Sequence, residues 1–310
     1  MKILLFAIFV LVVILAGLPF LTGDIETKEL NDESRKELGM KFIRLSDGVI
    51  HYDVSGPEKG EVIVLVHGNA APYFSWDRNL AALTGAGFRV IRYDLYGSGY
   101  SDRPDVDYSR KLYDRQLMEL LEALNINGPV SLVGTSQGGS IAVYFAATHP
   151  EKVKKLALLS PFINVLPTKA MIALIKTPGV GNYLASVLFD RININYPKKV
   201  FVDVAAIPDE YTKNYTKQLA YKGFKRARLS NFRGDALSDF TPQYEAVGKK
   251  NIPVLLTWGT ADKSIMADSI ANIKNTMPSV EYHEIERGGH LVHYENPEKV
   301  NKILVSFLKK

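Results

Sequence analysis

Pro129-Val130-Ser131-Leu132-Val133-Gly134-Thr135-Ser136-Gln137-Gly138-Gly139 is the stretch that decides the fold of this chain. Its first five residues form an apolar run of the kind a parallel sheet buries on both faces, and Gly139 to His149 reads as helix. Between them the pentapeptide Gly134-Thr135-Ser136-Gln137-Gly138 has the form GxSxG. A strand that turns directly into a helix needs a sharp reversal, and glycines around the central residue let the backbone pass without a clash. The turn lifts the Ser136 hydroxyl clear of the sheet. The helix behind it points free backbone N–H groups and its positive dipole end at the same place, which suits a developing oxyanion. The stretch reads as a nucleophile elbow, the mark of a serine hydrolase.

Strand and helix patterns alternate outward from this point. Phe42–Leu45 and Val49–Val54 flank the turn Ser46-Asp47-Gly48 and read as a hairpin. Val62–Val66 is a continuous β-branched run, Trp76–Ala86 reads as helix, Phe88–Tyr93 as strand and Leu112–Leu124 as helix. After the strand Val153–Ser160 the alternation breaks. The region 163–249 has helical pieces at Ala170–Ile175 and Gly181–Phe189, interrupted by prolines, and no strong strand. Val254–Trp258, Ser264–Thr276, Val280–Ile285 and Pro297–Leu308 then resume the pattern as strand, helix, strand and helix. The expected architecture is α/β, a parallel sheet with helices on both faces. Its core is split into 41–162 and 250–310 around a helical lid.

A serine hydroxyl needs a base to take its proton and a carboxylate to hold that base. Asp262, in Trp258-Gly259-Thr260-Ala261-Asp262, and His290, in Gly288-Gly289-His290, both follow predicted strands. The carboxyl ends of parallel strands are where such a sheet places its working loops. His293 is an alternative base, but it falls in Val292-His293-Tyr294-Glu295, which leads a helix and lacks the preceding glycines. His283 lies within a strand and reads as structural, and His51 and His149 read as surface residues. His67 and Asp94 read as braces of their loops, and Asp268 as solvated.

These residues resemble the α/β-hydrolase superfamily, and within it the small lidded serine esterases and monoacylglycerol-lipase-like members. The resemblance runs from about Lys41 to the carboxyl terminus through five landmarks in order: His67-Gly68, Asp94–Pro104, the elbow, the Trp258–Asp262 turn and Gly289-His290. It implies an α/β-hydrolase fold with a mostly parallel eight-stranded sheet. It also implies Ser136 as nucleophile, Asp262 as orienting acid and His290 as general base, with the backbone N–H groups of Asn69 and Gln137 as oxyanion donors. Dehalogenases and epoxide hydrolases of this fold carry aspartate at the elbow, which Ser136 argues against. Carbon–carbon bond hydrolases of ring-cleavage products share the serine and a similar lid. Their oxyanion loop is typically richer in glycine and proline than Asn69-Ala70-Ala71-Pro72, and asparagine usually precedes their nucleophile where this chain has Thr135. The expected function is therefore hydrolysis of carboxylic esters with lipid-like acyl groups, of the carboxylesterase or lipase type. The alternatives are a carbon–carbon bond hydrolase or a non-catalytic ligand-binding protein of the same fold. The lid segments Met171–Ile175 and Leu184–Phe189 would line an acyl pocket.

At 310 residues, 46% hydrophobic and 23% charged, the chain is long enough for one large domain with an insertion. It has no cysteine, which excludes disulfides and thiolate metal sites, and no clustered His and carboxylate pattern suggests a metal. No cofactor is expected. Nor is nucleic acid a partner, since no recognition module appears; the expected partner is a small-molecule ester. Ile3–Leu21 is almost unbroken apolar sequence, and at about 1.5 Å per residue it reaches roughly 28 Å. Residues 1–22 therefore read as a signal peptide or a membrane anchor, with the anchor favoured because no good cleavage site follows. The catalytic body is then expected to be membrane-anchored or exported, beyond a polar linker over 23–40 that reads as a short helical or flexible, solvated stalk. Residues 164–250 hold 14 Lys and Arg against 7 Asp and Glu, either a surface for anionic headgroups or a solvated helical face.

Overall fold

A computed structural model describes Gly17 and residues 24–69, 71–164 and 169–310, the side chains of 169–171 excepted. The remainder of the apolar segment 1–22 lies outside the described residues, as does the expectation placed on it. Among the described residues no helix is long and apolar enough to cross a membrane.

Eight strands form one sheet: β1 (Lys41–Leu45), β2 (Gly48–Ser55), β3 (Val62–Val66), β4 (Arg89–Tyr93), β5 (Val130–Thr135), β6 (Val153–Leu159), β7 (Val254–Gly259) and β8 (Glu281–Ile285). Their spatial order is β1-β2-β4-β3-β5-β6-β7-β8. β1 and β2 make the expected hairpin, β2 runs antiparallel to β4, and every other pair is parallel. The elbow strand β5 is therefore central, between β3 and β6.

Alternation along each strand builds two cores. Val64 and Val66 of β3, Leu132 of β5, and Leu156 and Leu158 of β6 face a layer holding Leu117, Ile141, Phe145 and Tyr244. Ile63 and Leu65, Val133, Ala157 and Leu159 face the opposite way, onto Trp76, Leu83, Val300 and Leu304. The helices Arg110–Ala123, Gln137–Thr148 and Thr241–Gly248 thus cover one face, and Asp77–Gly85 and Pro297–Lys309 the other. A strand with apolar residues at every position is buried on both sides, and that is why the apolar runs read from the sequence are central strands.

Between β6 and β7 the described chain is helical: Lys169–Lys176, Val180–Ile194, Tyr196–Val200, Asp209–Leu219 and Phe224–Arg233 precede Thr241–Gly248. The stretch before β1 carries a short helix, Asp32–Leu38, capped by Asn31, and its acidic residues pair with the inserted helices rather than with solvent alone. Lys222 meets Glu29 at 2.6 Å, Lys225 meets Asp24 at 2.8 Å, and Lys28 bridges to Tyr221. Glu26 accepts from the backbone N–H groups of Gly223 at 2.8 Å and Lys225 at 2.5 Å, at the start of the helix Phe224–Arg233. Part of the lid's positive surplus is therefore balanced by the acidic segment that precedes the core in the chain.

Carboxylates at a helix N-terminus satisfy N–H groups that have no partner inside the helix. Burial raises the Glu26 carboxyl above its usual value and offsets part of that gain. Glu26→Ala is expected to cost about 1 kcal/mol, a fall in Tm of roughly 2–4 °C. Glu26→Gln, which keeps an acceptor, should cost less; thermal melts of the two variants side by side check the order.

Candidate active site

Ser136 caps the helix Gln137–Thr148 with φ 51° and ψ −123°, a region that L-residues rarely adopt. The surrounding glycines show why the turn closes. A Cβ on Gly134 would fall 2.5 Å from the carbonyl oxygen of Gly138, and one on Gly138 would collide with the carbonyl of Val66. On the facing loop a Cβ on Gly68 would lie 3.0 Å from the Ser136 Cβ. A side chain at position 68 would force the serine turn to give by a few tenths of an ångström.

Three residues distant in sequence meet at this turn. Ser136 Oγ lies 3.0 Å from His290 Nε2, and His290 Nδ1 lies 2.9 Å from Asp262 Oδ2. The other carboxylate oxygen, Asp262 Oδ1, accepts from the backbone N–H groups of Ser264 at 2.7 Å and Ile265 at 3.0 Å. Asp262 and His290 are both buried. The carboxylate is thus held from two sides, and it selects the imidazole tautomer whose Nε2 can accept the serine proton.

Asn69 and Gln137 line the cavity onto which Ser136 opens, and the N–H of neither donates to a backbone or side-chain acceptor among the described residues. Gln137 is the first residue of its helix, so its N–H has no acceptor one turn earlier. The loop carrying Asn69 is held by His67, which donates from Nδ1 to the Gly68 carbonyl at 2.7 Å and accepts at Nε2 from the Leu95 N–H at 2.9 Å. One nitrogen donating and one accepting requires the neutral imidazole, and burial pushes the His67 value down.

The other candidates lie elsewhere. His51, expected at the surface, is buried and pairs with Asp94 at 2.8 Å; Asp94 also accepts from the N–H groups of Tyr73 and Tyr100. His149 meets Asp114 at 3.1 Å, His283 meets Glu281 at 3.0 Å within β8, and Asp268 is exposed. His293 packs against Trp76 with ring centroids 4.3 Å apart, and burial pushes its value down to about 3. It stays neutral behind His290 at ordinary pH. Because the unfolded chain takes up that proton near pH 6.5, acidification favours unfolding. Stability should therefore fall by about 1.4 kcal/mol per pH unit from pH 6.5 toward pH 3 on account of His293 alone. Denaturant melts across that range should show a shallower acid slope for His293→Phe than for the parent.

A cavity of about 410 Å³ opens onto Ser136 and His290. Phe162, Tyr196, Phe232, Leu237 and Ile265 give it apolar walls, and Asn164 and Arg228 add polar groups. Among the described side chains, none from the two lid segments expected to form an acyl pocket lines it; Leu174 and Leu188 instead face solvent, at 48% and 44% exposure. Arg228 is the residue that sequence reasoning missed. It is only 6% exposed, and its Nη1 has no hydrogen-bond partner among the described residues. Its ionisable neighbours are Tyr215, Tyr196 and Tyr113 rather than carboxylates, and burial holds the guanidinium below its usual value. An arginine keeps its charge even so. A buried charge without a counter-ion costs several kcal/mol; the Phe232 and Tyr196 rings, with centroids 5.4 and 5.8 Å from the guanidinium carbon, offset part of that cost.

The family model for the alpha/beta hydrolase fold matches residues 61–297. The chain belongs to that family. It is 31% identical over 286 residues to a 2-hydroxy-6-oxononadienedioate/2-hydroxy-6-oxononatrienedioate hydrolase of Paraburkholderia xenovorans, covering 86% of this chain and 94% of that protein. A 2-hydroxy-6-oxo-6-phenylhexa-2,4-dienoate hydrolase of Comamonas testosteroni is 27% identical over 283 residues, covering 86% of this chain and 93% of its own. Among solved structures, the enol-lactonase from Burkholderia xenovorans superposes with a TM-score of 0.72 at 21% identity, covering 87% of this chain and all of that one. This last likeness speaks to fold alone.

These findings make the protein a hydrolase on the α/β-hydrolase fold and correct two expectations. The lipid-ester, monoacylglycerol-lipase-like reading gives way, because the sequence relatives are named for hydrolysis of hydroxy-oxo-dienoic acids. A buried guanidinium in the pocket agrees, since an acyl chain would leave it without a partner. The membrane-anchored or exported placement is corrected at the same point. It rested chiefly on residues 1–22, which lie outside the described residues, whereas the similarity is to 2-hydroxy-6-oxononadienedioate hydrolases over 94% of their length, and no helix among the described residues is long and apolar enough to cross a membrane.

Proposed function

We propose that the protein hydrolyses a carbon–carbon bond beside the ketone of an acidic 2-hydroxy-6-oxo-dienoate, with Ser136 as nucleophile, His290 as base and Asp262 as its orienting partner. The observation that carries this reading is Arg228: a buried, unpaired cation in the pocket that holds Ser136 is a seat for a substrate carboxylate. The relatives named for such acids support it.

The chemistry sets what the site must do. A carbon leaving group departs only if its electron pair is delocalised. When the 2-hydroxyl gives up its proton and C5 gains one, the substrate becomes a ketone at C2 conjugated to the C3–C4 double bond. Ser136 Oγ then adds to the C6 carbonyl as His290 Nε2 takes its proton, and the Asn69 and Gln137 N–H groups hold the oxyanion. Collapse breaks the C5–C6 bond, and the pair runs through C4 and C3 onto the C2 oxygen, which is protonated. Water, activated by His290, releases the acid from Ser136. One substrate and one water give a 2-hydroxydienoate and a carboxylic acid. The pocket's aromatic walls exclude bulk water from the planar chain, and Arg228 fixes the end carrying the C1 carboxylate.

Purified protein is expected to bleach a coloured 2-hydroxy-6-oxo-dienoate with one equivalent of acid formed per turnover. Arg228→Met should raise KM for that acid by about 100-fold, the worth of a buried charge-assisted pair, and abolish the preference for the acid over its methyl ester. Removing an uncompensated charge should also raise Tm. Failure to turn over any acidic hydroxy-oxo-dienoate, with neutral esters cleaved well, would sink the reading.

A further inference from the structure

Asn231 lies on the helix Phe224–Arg233 three residues after Arg228, so the two side chains share one face of that helix. It is 4% exposed and bonds reciprocally with the side chain of Gln137: its Nδ2 donates to Gln137 Oε1 at 3.1 Å, and its Oδ1 accepts from Gln137 Nε2 at 3.0 Å. The same Nδ2 reaches Asn69 Oδ1 at 3.5 Å. One residue of that helix therefore contacts both residues that line the cavity beside Ser136 and carry the expected oxyanion donors.

We infer that Asn231 is a positioning residue that holds the two oxyanion donors in register, so that the oxyanion site is complete only when this lid helix is seated. Asn69 sits on the loop after β3 and Gln137 at the head of the helix after β5, and the described hydrogen bonds join their side chains only through Asn231. A shift of either donor away from the oxyanion weakens transition-state binding with little effect on ground-state binding. Because Arg228 lies on the same helix face, a carboxylate that engages it also helps seat Asn231. This inference rests on Ser136 being the nucleophile of the proposed function, and it does not depend on which carbonyl compound is cleaved.

The test uses the full chain with p-nitrophenyl acetate, which reports acylation of Ser136, and a phenylboronic acid, whose serine adduct mimics the anionic tetrahedral intermediate. Asn231→Ala is expected to lower the acylation rate and the boronate affinity together, by roughly 10- to 100-fold, with KM within about twofold. Asn231→Asp, which places a carboxylate beside the oxyanion, should lower both at least as much. A folded Ala variant with both quantities within about twofold of the parent overturns the inference. So does a raised KM at unchanged kcat, or slower acylation at unchanged boronate affinity. If the Ala variant melts too early to assay, the near-isosteric Asp variant decides by the same two measurements. A parent inert toward hydroxy-oxo-dienoates that still shows the paired loss removes the carbon–carbon reading and leaves the role of Asn231 standing.

Discussion

Ser136→Ala is expected to lower turnover by roughly 10⁴- to 10⁶-fold while leaving binding of the acidic substrate near its parent value. In the proposed reaction the hydroxyl attacks the carbonyl, whereas Arg228 and the aromatic walls hold the ground state, so the two properties should separate. A second effect accompanies it. Ser136 occupies φ 51° and ψ −123°, and a side chain there costs on the order of 1–3 kcal/mol that alanine does not relieve. Ser136→Gly should be equally inactive yet more stable than Ser136→Ala, with the flexibility of glycine in the unfolded chain offsetting about 0.5–1 kcal/mol of the gain. Single-turnover kinetics check the first claim and paired thermal melts the second. An alanine variant with activity within tenfold of the parent would move the nucleophile elsewhere.

Asp262→Asn should lower kcat by about 10⁴-fold. Its Oδ1 accepts two backbone N–H groups, which an asparagine oxygen can keep, so the side chain stays in place. The amide NH₂ then faces His290 Nδ1, which must become an acceptor. The proton moves to Nε2, and the imidazole can no longer take one from Ser136. The fold should melt close to the parent while the activity is lost. A kcat change below tenfold would show that the carboxylate merely caps its turn.

The expected ester chemistry failed where local pattern stops carrying information. The elbow, the β-branched runs and the glycines before His290 announce themselves within a few residues, because strand burial and a tight turn restrict residue type at each position. Ser136, Asp262 and His290 were legible for that reason, as was the rough extent of each core strand and helix. The lid was not, because helices that pack by one stripe show which residues are apolar without showing which way that stripe faces. Leu174 and Leu188 looked like pocket lining and face water. Asn231 and Arg228 lie in a stretch whose only legible sign was its surplus of Lys and Arg, and both are buried against the site.

The sequence by itself determined the sheet, the elbow and the three side chains that meet there, since each is dictated by its own neighbours along the chain. Only the tertiary structure decided that His51 is buried against Asp94, which arginine is buried without a counter-ion, and that the acidic segment 24–38 balances part of the positive charge of the helices it meets. Those are properties of pairs brought together from distant positions, and a charge or an amide carries no local sign of the partner that burial will supply or withhold.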